Sequence, residues 1–448
     1  MSLIFSISGA RGIVGQSLTD KEVKNFTFAF LKFCESGVIV VGRDGRPSGK
    51  NISNLVCEVL SGAGCKVINL GIVPTPTAQL AVEHFKASGG ISITASHNPE
   101  EWNGLKFLNS SGMFLNNLEY SELKNILEKL DSQNYKMSVE NIFYDNSMID
   151  LHINKTLSLS YIDKSKFRKK LKVVVDAVNA SGSIIIPKIL EVLNCEVVQF
   201  ACNSSGIFPH TPEPIPNNLI GLADAVIKNN ADLGIAVDPD ADRLVLFTEE
   251  GKPFVEEYSL VAITDFILKK KSNNPQNIVT NLSTTRALND IVKKYNATLF
   301  RTPVGEINVA TKMKEVDAII GGEGSGGIIL SELHYGRDAI VGCALIIQYL
   351  HEFGGKASEL RNSFPNYFIL KDSFKVESLI SDSIFQKVIN KYGSIGKINL
   401  EDGFKIDFEN SWFHLRKSNT EPIIRIITEA PTITEANNLL EEVKNVIK

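Results

Sequence analysis

Short apolar runs alternate with amphipathic stretches through most of the chain, and the same order of runs appears three times. Each unit opens on a strand-like run that flows into a polar turn: VIVVGRDGRPSG from Val38, KVVVDAVNASGS from Lys172 and NIVTNLSTTRAL from Asn277. After a helix-like stretch comes a second short strand and a loop: KVINLGIVPTP from Lys66, CEVVQFACNSSG from Cys195 and ATLFRTPVGEIN from Ala297. A third strand then ends in an unusual loop: ISITASHNP from Ile91, DLGIAVDPDADR from Asp232 and DAIIGGEGSGG from Asp317. Such alternation predicts α/β units with a parallel or mixed sheet. Ligand sites in these folds lie beyond the carboxyl ends of strands, where all three unusual loops fall.

The end of the chain breaks the pattern. Asn366 to Leu370, Lys397 to Phe408 and Trp412 to Ile427 alternate like antiparallel strands, and Ile433 to Lys448 reads as an amphipathic helix. The expected fold is α/β: three similar mixed-sheet α/β domains plus a smaller α+β C-terminal domain around a central cleft. The expected domains are 1–140, 150–252, 253–364 and 367–448, with linkers in the polar stretches 131–150, 248–257 and 362–370. A chain of 448 residues is too long for one core.

Composition narrows the function classes. With 43% hydrophobic and 22% charged residues, the chain is ordinary for a soluble protein. A net charge of −4 gives no electrostatic footprint for a nucleic-acid backbone. None of the six cysteines forms C-x-x-C, so they read as reduced core thiols. MSLIFSISGARG lacks a basic n-region and a cleavage site, and no apolar run approaches the ~18 residues that span a bilayer. The expectation is a cytoplasmic protein without a nucleic-acid or membrane partner. Its oligomeric state is not legible.

Three stretches carry chemistry. In DPDADR, Asp238, Asp240 and Asp242 alternate in a loop that Pro239 stiffens, and their carboxylates suit an oxygen-seeking cation such as Mg²⁺. An EF-hand loop fits poorly, because Arg243 stands at its sixth position and Leu244 to Phe247 read as a strand. In GGEGSGG, Gly322, Gly324 and Gly327 spell G-x-G-x-x-G, which makes a nucleotide-dependent oxidoreductase the competing class; Glu323 and Ser325 between the glycines suit hydroxyl recognition instead. In RKSNTEPIIR, Arg416, Ser418, Asn419 and Thr420, followed by Arg425, offer a donor set for a phosphate dianion. A serine loop (Ser96, with His97 and Lys106 nearby), a cation site, a hydroxyl-reading loop and a phosphate cradle together suggest phosphoryl transfer on a sugar phosphate.

The motifs TASHNP, DPDADR, GEGSGG and RKSNTEP, in this order over essentially the whole chain, resemble the α-D-phosphohexomutase family. The resemblance implies three similar α/β domains and a fourth of the TATA-binding-protein-like type around a cleft. It implies a phosphoserine at Ser96, and Mg²⁺ held by Asp238, Asp240 and Asp242 with that phosphate. It also implies a hexose bisphosphate as primer and intermediate. Arg11, His97, Lys106 and Arg243 then belong near the reacting oxygens, Glu323 and Ser325 at the sugar hydroxyls, and Arg416, Ser418, Asn419, Thr420 and Arg425 at the non-reacting phosphate. Two departures stand out. Many relatives carry His where this chain has Gly327, and many phosphomannomutase/phosphoglucomutases carry His where TPVGEIN has Glu306. An acid at 306 resembles phosphoglucosamine mutases and would pair with a substrate ammonium. It favours glucosamine phosphate over mannose or glucose phosphate. A sugar-phosphate binding protein without catalysis would need neither Ser96 nor the three aspartates.

Overall fold

The computed structural model describes residues 3–130, 135–167, 169–271, 274–375, 381–417 and 423–447. Four sheets appear, and the first three are built on one plan. In the first unit, strands Val38–Arg43, Lys66–Ile72 and Gly89–Ile93 run parallel, and Trp102–Leu108 returns antiparallel beside Gly89–Ile93. The second repeats this with Leu171–Asp176, Cys195–Ala201, Leu233–Val237 and the returning Leu244–Thr248. The third uses Asn277–Asn281, Thr298–Thr302, Ile320–Glu323 and the returning Gly327–Leu330. Each unusual loop is therefore the bend of a hairpin between a unit's third strand and its returning fourth. The returning strands of the second and third units, like the third strands they pair with, are buried at every position, as expected of sheets covered on both faces.

The first sheet is extended to seven strands. Ile4–Ser6 and Gly9–Ile13 join one edge and Ile142–Tyr144 the other. The last of these lies inside the stretch 131–150 that reads as a linker. The same stretch ends in the first turn of the helix Met148–Leu157.

Apolar packing does not respect the unit borders. One continuous core runs from Ile153 in that helix to Phe364, and so joins the second and third units. A second joins Val40, Ile68 and Leu70 of the first unit to Val279, Ile307 and Met313 of the third. The end of the chain differs. Its five antiparallel strands, ordered Phe368–Lys375, Ile423–Ala430, Trp412–Lys417, Phe404–Asp407 and Lys397–Asn399, pack with the helix Ile433–Ile447 around their own core. Polar bonds tie this unit to the third: Thr285 Oγ1 and the Arg286 amide donate to Glu429, Lys371 Nζ reaches Glu256, and His414 Nδ1 lies 2.9 Å from Ser283 Oγ.

All six cysteines are free. Among the described residues no helix is long and apolar enough to cross a membrane.

Candidate active site

The serine loop begins where Gly89–Ile93 ends. Ser96 has φ +49°, a left-handed conformation that a non-glycine residue adopts only where its surroundings enforce it. Here the enforcement is visible. The Ser96 amide donates to Thr94 Oγ1 at 2.8 Å, and Thr94 donates to the buried Asp44. Arg46, fully buried, pairs with Asp44 through Nε (3.0 Å) and donates to the carbonyls of Ser96 (2.6 Å), Asn98 (2.7 Å) and Pro99 (2.7 Å). Its guanidinium stacks on Phe208, which a loop of the second unit supplies. Arg46 thus pins three carbonyls of the loop at once. Neither Arg46 nor Asp44 is singled out by the sequence patterns.

The Ser96 hydroxyl donates to Asp238 Oδ2 at 2.9 Å, across 142 positions of sequence, and lies 3.3 Å from His97 Nδ1. The aspartate loop is as tight as the serine loop. Ala241 takes φ +50°, and the amides of Asp242 and Arg243 both donate to Asp238 Oδ1. The three carboxylates are completely buried. The first unit grips them with Thr75, which donates to Asp240 Oδ2 (2.7 Å), and with Lys106, whose Nζ sits 2.7 Å from Asp240 and 3.5 Å from Asp242. The third unit grips them with Arg337, 2.6 Å from Asp242 Oδ2. Gly326 O accepts from the Leu244 amide, and the Ala339 amide donates to Ala241 O. The three hairpin loops therefore meet.

Two buried oxygens in this cluster, Asp240 Oδ1 and Asp242 Oδ1, accept no hydrogen bond, though Arg243 Nε lies 3.9 Å from the second. One ligand atom from each of the three aspartates lies within 4.8 Å of the others. Carboxylate oxygens without hydrogen bonds at that spacing, on a hard-oxygen donor set, fit a divalent cation. The surrounding charge pulls on each group. Burial and the neighbouring carboxylates push Asp238 well above the usual carboxylate range. Burial would also raise Asp242, but Arg337, Lys106 and Arg243 hold it below that range. Burial opposes a charge on Lys106, and Asp240 and Asp242 outweigh it. The Arg243 guanidinium, then burial and Arg11, depress His97 well below an ordinary imidazole. Arg11 Nη1 reaches Asn98 Oδ1 at 3.2 Å, at the rim of the serine loop.

The glycine loop settles the competing class. Gly322 and Gly327 pair with strand partners in an antiparallel hairpin, and Gly324 lies in its bend. The dinucleotide fingerprint requires its glycines to open a helix; here they open a strand, so the oxidoreductase reading falls. Leu244–Thr248 likewise follows the aspartates as a strand, where an EF-hand needs a helix. Glu323 is buried. Its Oε1 accepts from Asn281 Nδ2 (2.8 Å) and the Gly305 amide (2.9 Å), and its Oε2 pairs with Arg337 (2.7 Å). Ser325 is half-buried at the bend.

Glu306 sits differently from its expected role. As the first residue of the helix Glu306–Glu315 it is buried, with Oε2 on Arg337 Nε (3.0 Å) and Oε1 accepting from Gln79 (3.2 Å). Each oxygen has one protein partner, so a ligand ammonium would have to share the carboxylate with Arg337 and Gln79. Burial raises Glu306 to about 7, against the opposing pull of Arg337.

Of the cradle, Arg416 and Arg425 face each other as a cross-strand pair. Arg416 Nε lies 2.8 Å from Asp402 Oδ2, off the hydrogen-bonding line, and Asp402 also accepts from the Val304 amide of the third unit. Two opposed guanidiniums repel unless an anion lies between them. Ser418, Asn419 and Thr420 lie outside the described residues.

Comparison with known proteins agrees with this geometry. Models of phosphoglucomutase/phosphomannomutase alpha/beta/alpha domains I, II and III match residues 2–134, 150–251 and 256–368, and the C-terminal domain model matches 374–446. The chain is 35% identical to a phosphoglucomutase/phosphomannomutase of Thermococcus kodakarensis, over 98% of this chain and 97% of that one. It is 31% identical to a probable phosphoglucosamine mutase of Methanopyrus kandleri, covering 100% and 98%. Among solved structures, a phosphoglucomutase/phosphomannomutase family protein of Burkholderia thailandensis superposes with a TM-score of 0.85 at 23% identity, covering 99% and 98%. The four matched domains and the full-length relatives place this chain in the phosphoglucomutase/phosphomannomutase family of α-D-phosphohexomutases.

Proposed function

We propose that the protein is a Mg²⁺-dependent phosphosugar mutase that moves a phosphoryl group between O6 and O1 of a hexose phosphate, with Ser96 as the phosphoryl carrier. The observation that carries this is the Ser96 hydroxyl on Asp238, beside two carboxylate oxygens that accept no hydrogen bond. Asp238, Asp240, Asp242 and a phosphate on Ser96 would hold the cation. When bound, Mg²⁺ supplies charge neutralisation at the phosphoryl oxygens.

The residues divide the remaining work. A phosphoserine adds about −1.5 to −2 charges, which Lys106, Arg243 and Arg11 help to offset. In transfer, a sugar hydroxyl oxygen bonds to phosphorus as the phosphorus–Oγ bond of Ser96 breaks, and the hydroxyl proton ends on Oγ. The bisphosphorylated sugar then returns its other phosphoryl group to Ser96 by the reverse steps. His97 Nδ1, 3.3 Å from Oγ, is placed to hydrogen-bond the serine oxygen during transfer. Glu323 and Ser325 read the sugar hydroxyls. Arg416 and Arg425, with Ser418, Asn419 and Thr420, hold the phosphate that does not react. In this reading residues 1–140 carry the serine, 150–252 the cation, 253–364 the sugar loop and 367–448 the phosphate cradle.

The substrate favoured is glucosamine 6-phosphate, converted to glucosamine 1-phosphate, as the name of the Methanopyrus kandleri relative suggests. The Thermococcus kodakarensis relative, named for the neutral sugars, supports phosphomannomutase/phosphoglucomutase activity as the second reading. The test uses a radiolabelled hexose bisphosphate with wild type and Ser96→Ala. Wild type should take up label and interconvert the hexose phosphates, whereas Ser96→Ala should do neither. Full turnover by a folded Ser96→Ala protein would end the proposal. Comparing kcat/KM for glucosamine, mannose and glucose 6-phosphates then decides the sugar.

A further inference from the structure

Arg337 belongs to none of the four motifs, yet it pairs with three buried carboxylates of the site. Each of its three guanidinium nitrogens takes a different carboxylate: Nη2 on Asp242 (2.6 Å), Nη1 on Glu323 (2.7 Å) and Nε on Glu306 (3.0 Å). Two of these carboxylates sit in different functional loops, Asp242 in the cation loop of the second unit and Glu323 in the sugar loop of the third. A planar fork with fixed donor directions holds its acceptors at fixed mutual positions, as a single ammonium does not. The remaining oxygen of Asp242 accepts no hydrogen bond and has only Arg243 Nε, 3.9 Å away, as an ionic neighbour. The oxygens of Glu323 are fixed by Arg337, Asn281 and the Gly305 amide.

Room for this arginine comes from one glycine. A Cβ built on Gly327 would collide with Cδ of Arg337, and no other residue lies among its three nearest atoms. Gly327 does not have a left-handed φ, so its backbone would accept alanine. The absence of a side chain at 327 therefore serves packing against Arg337 and not the backbone conformation.

We propose that Arg337 is a positioning residue of the proposed mutase: it locks the cation-binding carboxylate Asp242 and the sugar-reading carboxylate Glu323 into one rigid unit, and Gly327 is glycine to admit it. The inference rests on the mutase reading for the roles of the two loops. It makes a prediction of opposite signs. Arg337 is a positive charge in contact with a cation ligand, so removing it strengthens cation binding. The same removal leaves Glu323 held at Oε1 alone, so its second oxygen is no longer fixed and sugar binding weakens. A residue that merely stabilised the fold would weaken both.

The experiment compares wild type, Arg337→Gln, Arg337→Lys and Gly327→Ala, each checked for fold by circular dichroism and gel filtration. Mn²⁺ binding is followed by electron paramagnetic resonance without sugar, and KM and kcat are measured with glucosamine 6-phosphate and mannose 6-phosphate. In Arg337→Gln, Mn²⁺ half-saturation should fall at least threefold while KM rises at least tenfold. Arg337→Lys keeps the charge and should leave Mn²⁺ binding within twofold, but should still raise KM. Gly327→Ala alters no charge and should raise KM by pushing the guanidinium aside. It is also the informative variant if loss of the counter-charge to Glu306 and Glu323 prevents Arg337→Gln from folding. Parallel weakening of cation and sugar in these variants, or an unchanged KM in both Arg337→Lys and Gly327→Ala, would overturn the inference while leaving the mutase intact. A wild type that neither binds Mn²⁺ nor interconverts a hexose phosphate would instead overturn the functional reading.

Discussion

Replacing Arg46 by lysine isolates the part of the site that shapes the serine loop. Lysine preserves the charge beside Asp44, so the buried carboxylate keeps a counter-ion. It loses the fork. Arg46 delivers donors from separate nitrogens to Asp44 and to the carbonyls of Ser96, Asn98 and Pro99. One ammonium has three protons for four acceptors that diverge in space, and we expect it to keep Asp44 and a single carbonyl. Pro99 O still accepts from the Trp102 amide, whereas the buried Ser96 carbonyl is left without a donor, at about 1–3 kcal/mol. In the block of about 360 residues that the shared cores make of the first three units, each 1 kcal/mol lowers Tm by about 1–2 °C. The functional effect should be larger than the thermal one, because the released carbonyl belongs to Ser96, whose φ of +49° is held by these bonds. The assay pairs scanning calorimetry with label uptake on Ser96 from a hexose bisphosphate. We expect Tm to fall by about 1–5 °C and label uptake to slow at least tenfold. An unchanged Tm together with normal uptake would refute the claim that Arg46 holds the serine in place. A fall in Tm with normal uptake would show that the loop keeps its shape without the fork.

Three further outcomes are expected. His414 is buried between the third and fourth units, and burial drives its imidazole from 6.5 down to about 4. The unfolded chain binds the extra proton, so this contribution is complete above pH 6.5 and is lost as pH falls toward 4; at about 1.4 kcal/mol per tenfold it reaches about 3 kcal/mol. Urea titrations of wild type and His414→Gln between pH 4 and 7 should show that slope in wild type and its flattening in the variant. Asp240→Asn removes a carboxylate whose Oδ1 is unpartnered, and Mg²⁺ half-saturation measured by calorimetry should rise at least tenfold. Asn116 closes a capping box with Glu119 at the start of the helix Asn117–Glu128, and Asn116→Ala should cost about 1 kcal/mol in urea unfolding without changing kcat.

Much of this structure was legible in the chain because its signals are local. The three strands of each unit, the loops after every third strand and the antiparallel end of the chain all follow from periodicity within a few residues. Of the returning fourth strands, the second unit's was read from Leu244 to Phe247, and those of the first and third were harder to see. Trp102–Leu108 contains Asn103, Gly104 and Lys106, residues that weaken a β pattern, and Lys106 is tolerated there only because two aspartates of another unit neutralise it. Arg46 and Arg337 escaped for the same reason. Burial of an arginine is decided by its partners, and those of Arg46 on the serine loop stand 50 to 53 positions away. A weak signal did exist in YGRDA, since Asp338 caps the helix Ala339–Phe353 and fixes its neighbour Arg337 at a helix start. Glu306 was misleading in the opposite sense. An acid in the first turn of a helix is favourable on its own account, and its partner lies 31 residues on.

The way the cores are shared has a consequence for how the molecule comes apart. One apolar cluster welds the second unit to the third and another welds the third to the first, whereas the fourth keeps a core of its own behind a polar seam. In cooperative terms the chain is two blocks, not four. A defect anywhere in the first three units is felt by all of them, because none can unfold without exposing apolar surface on a neighbour. The last block can melt, or swing, while the others stay whole. If it carries the phosphate cradle, as proposed, the enzyme can loosen its hold on a sugar phosphate at the cost of a few hydrogen bonds and leave the serine and its aspartates undisturbed.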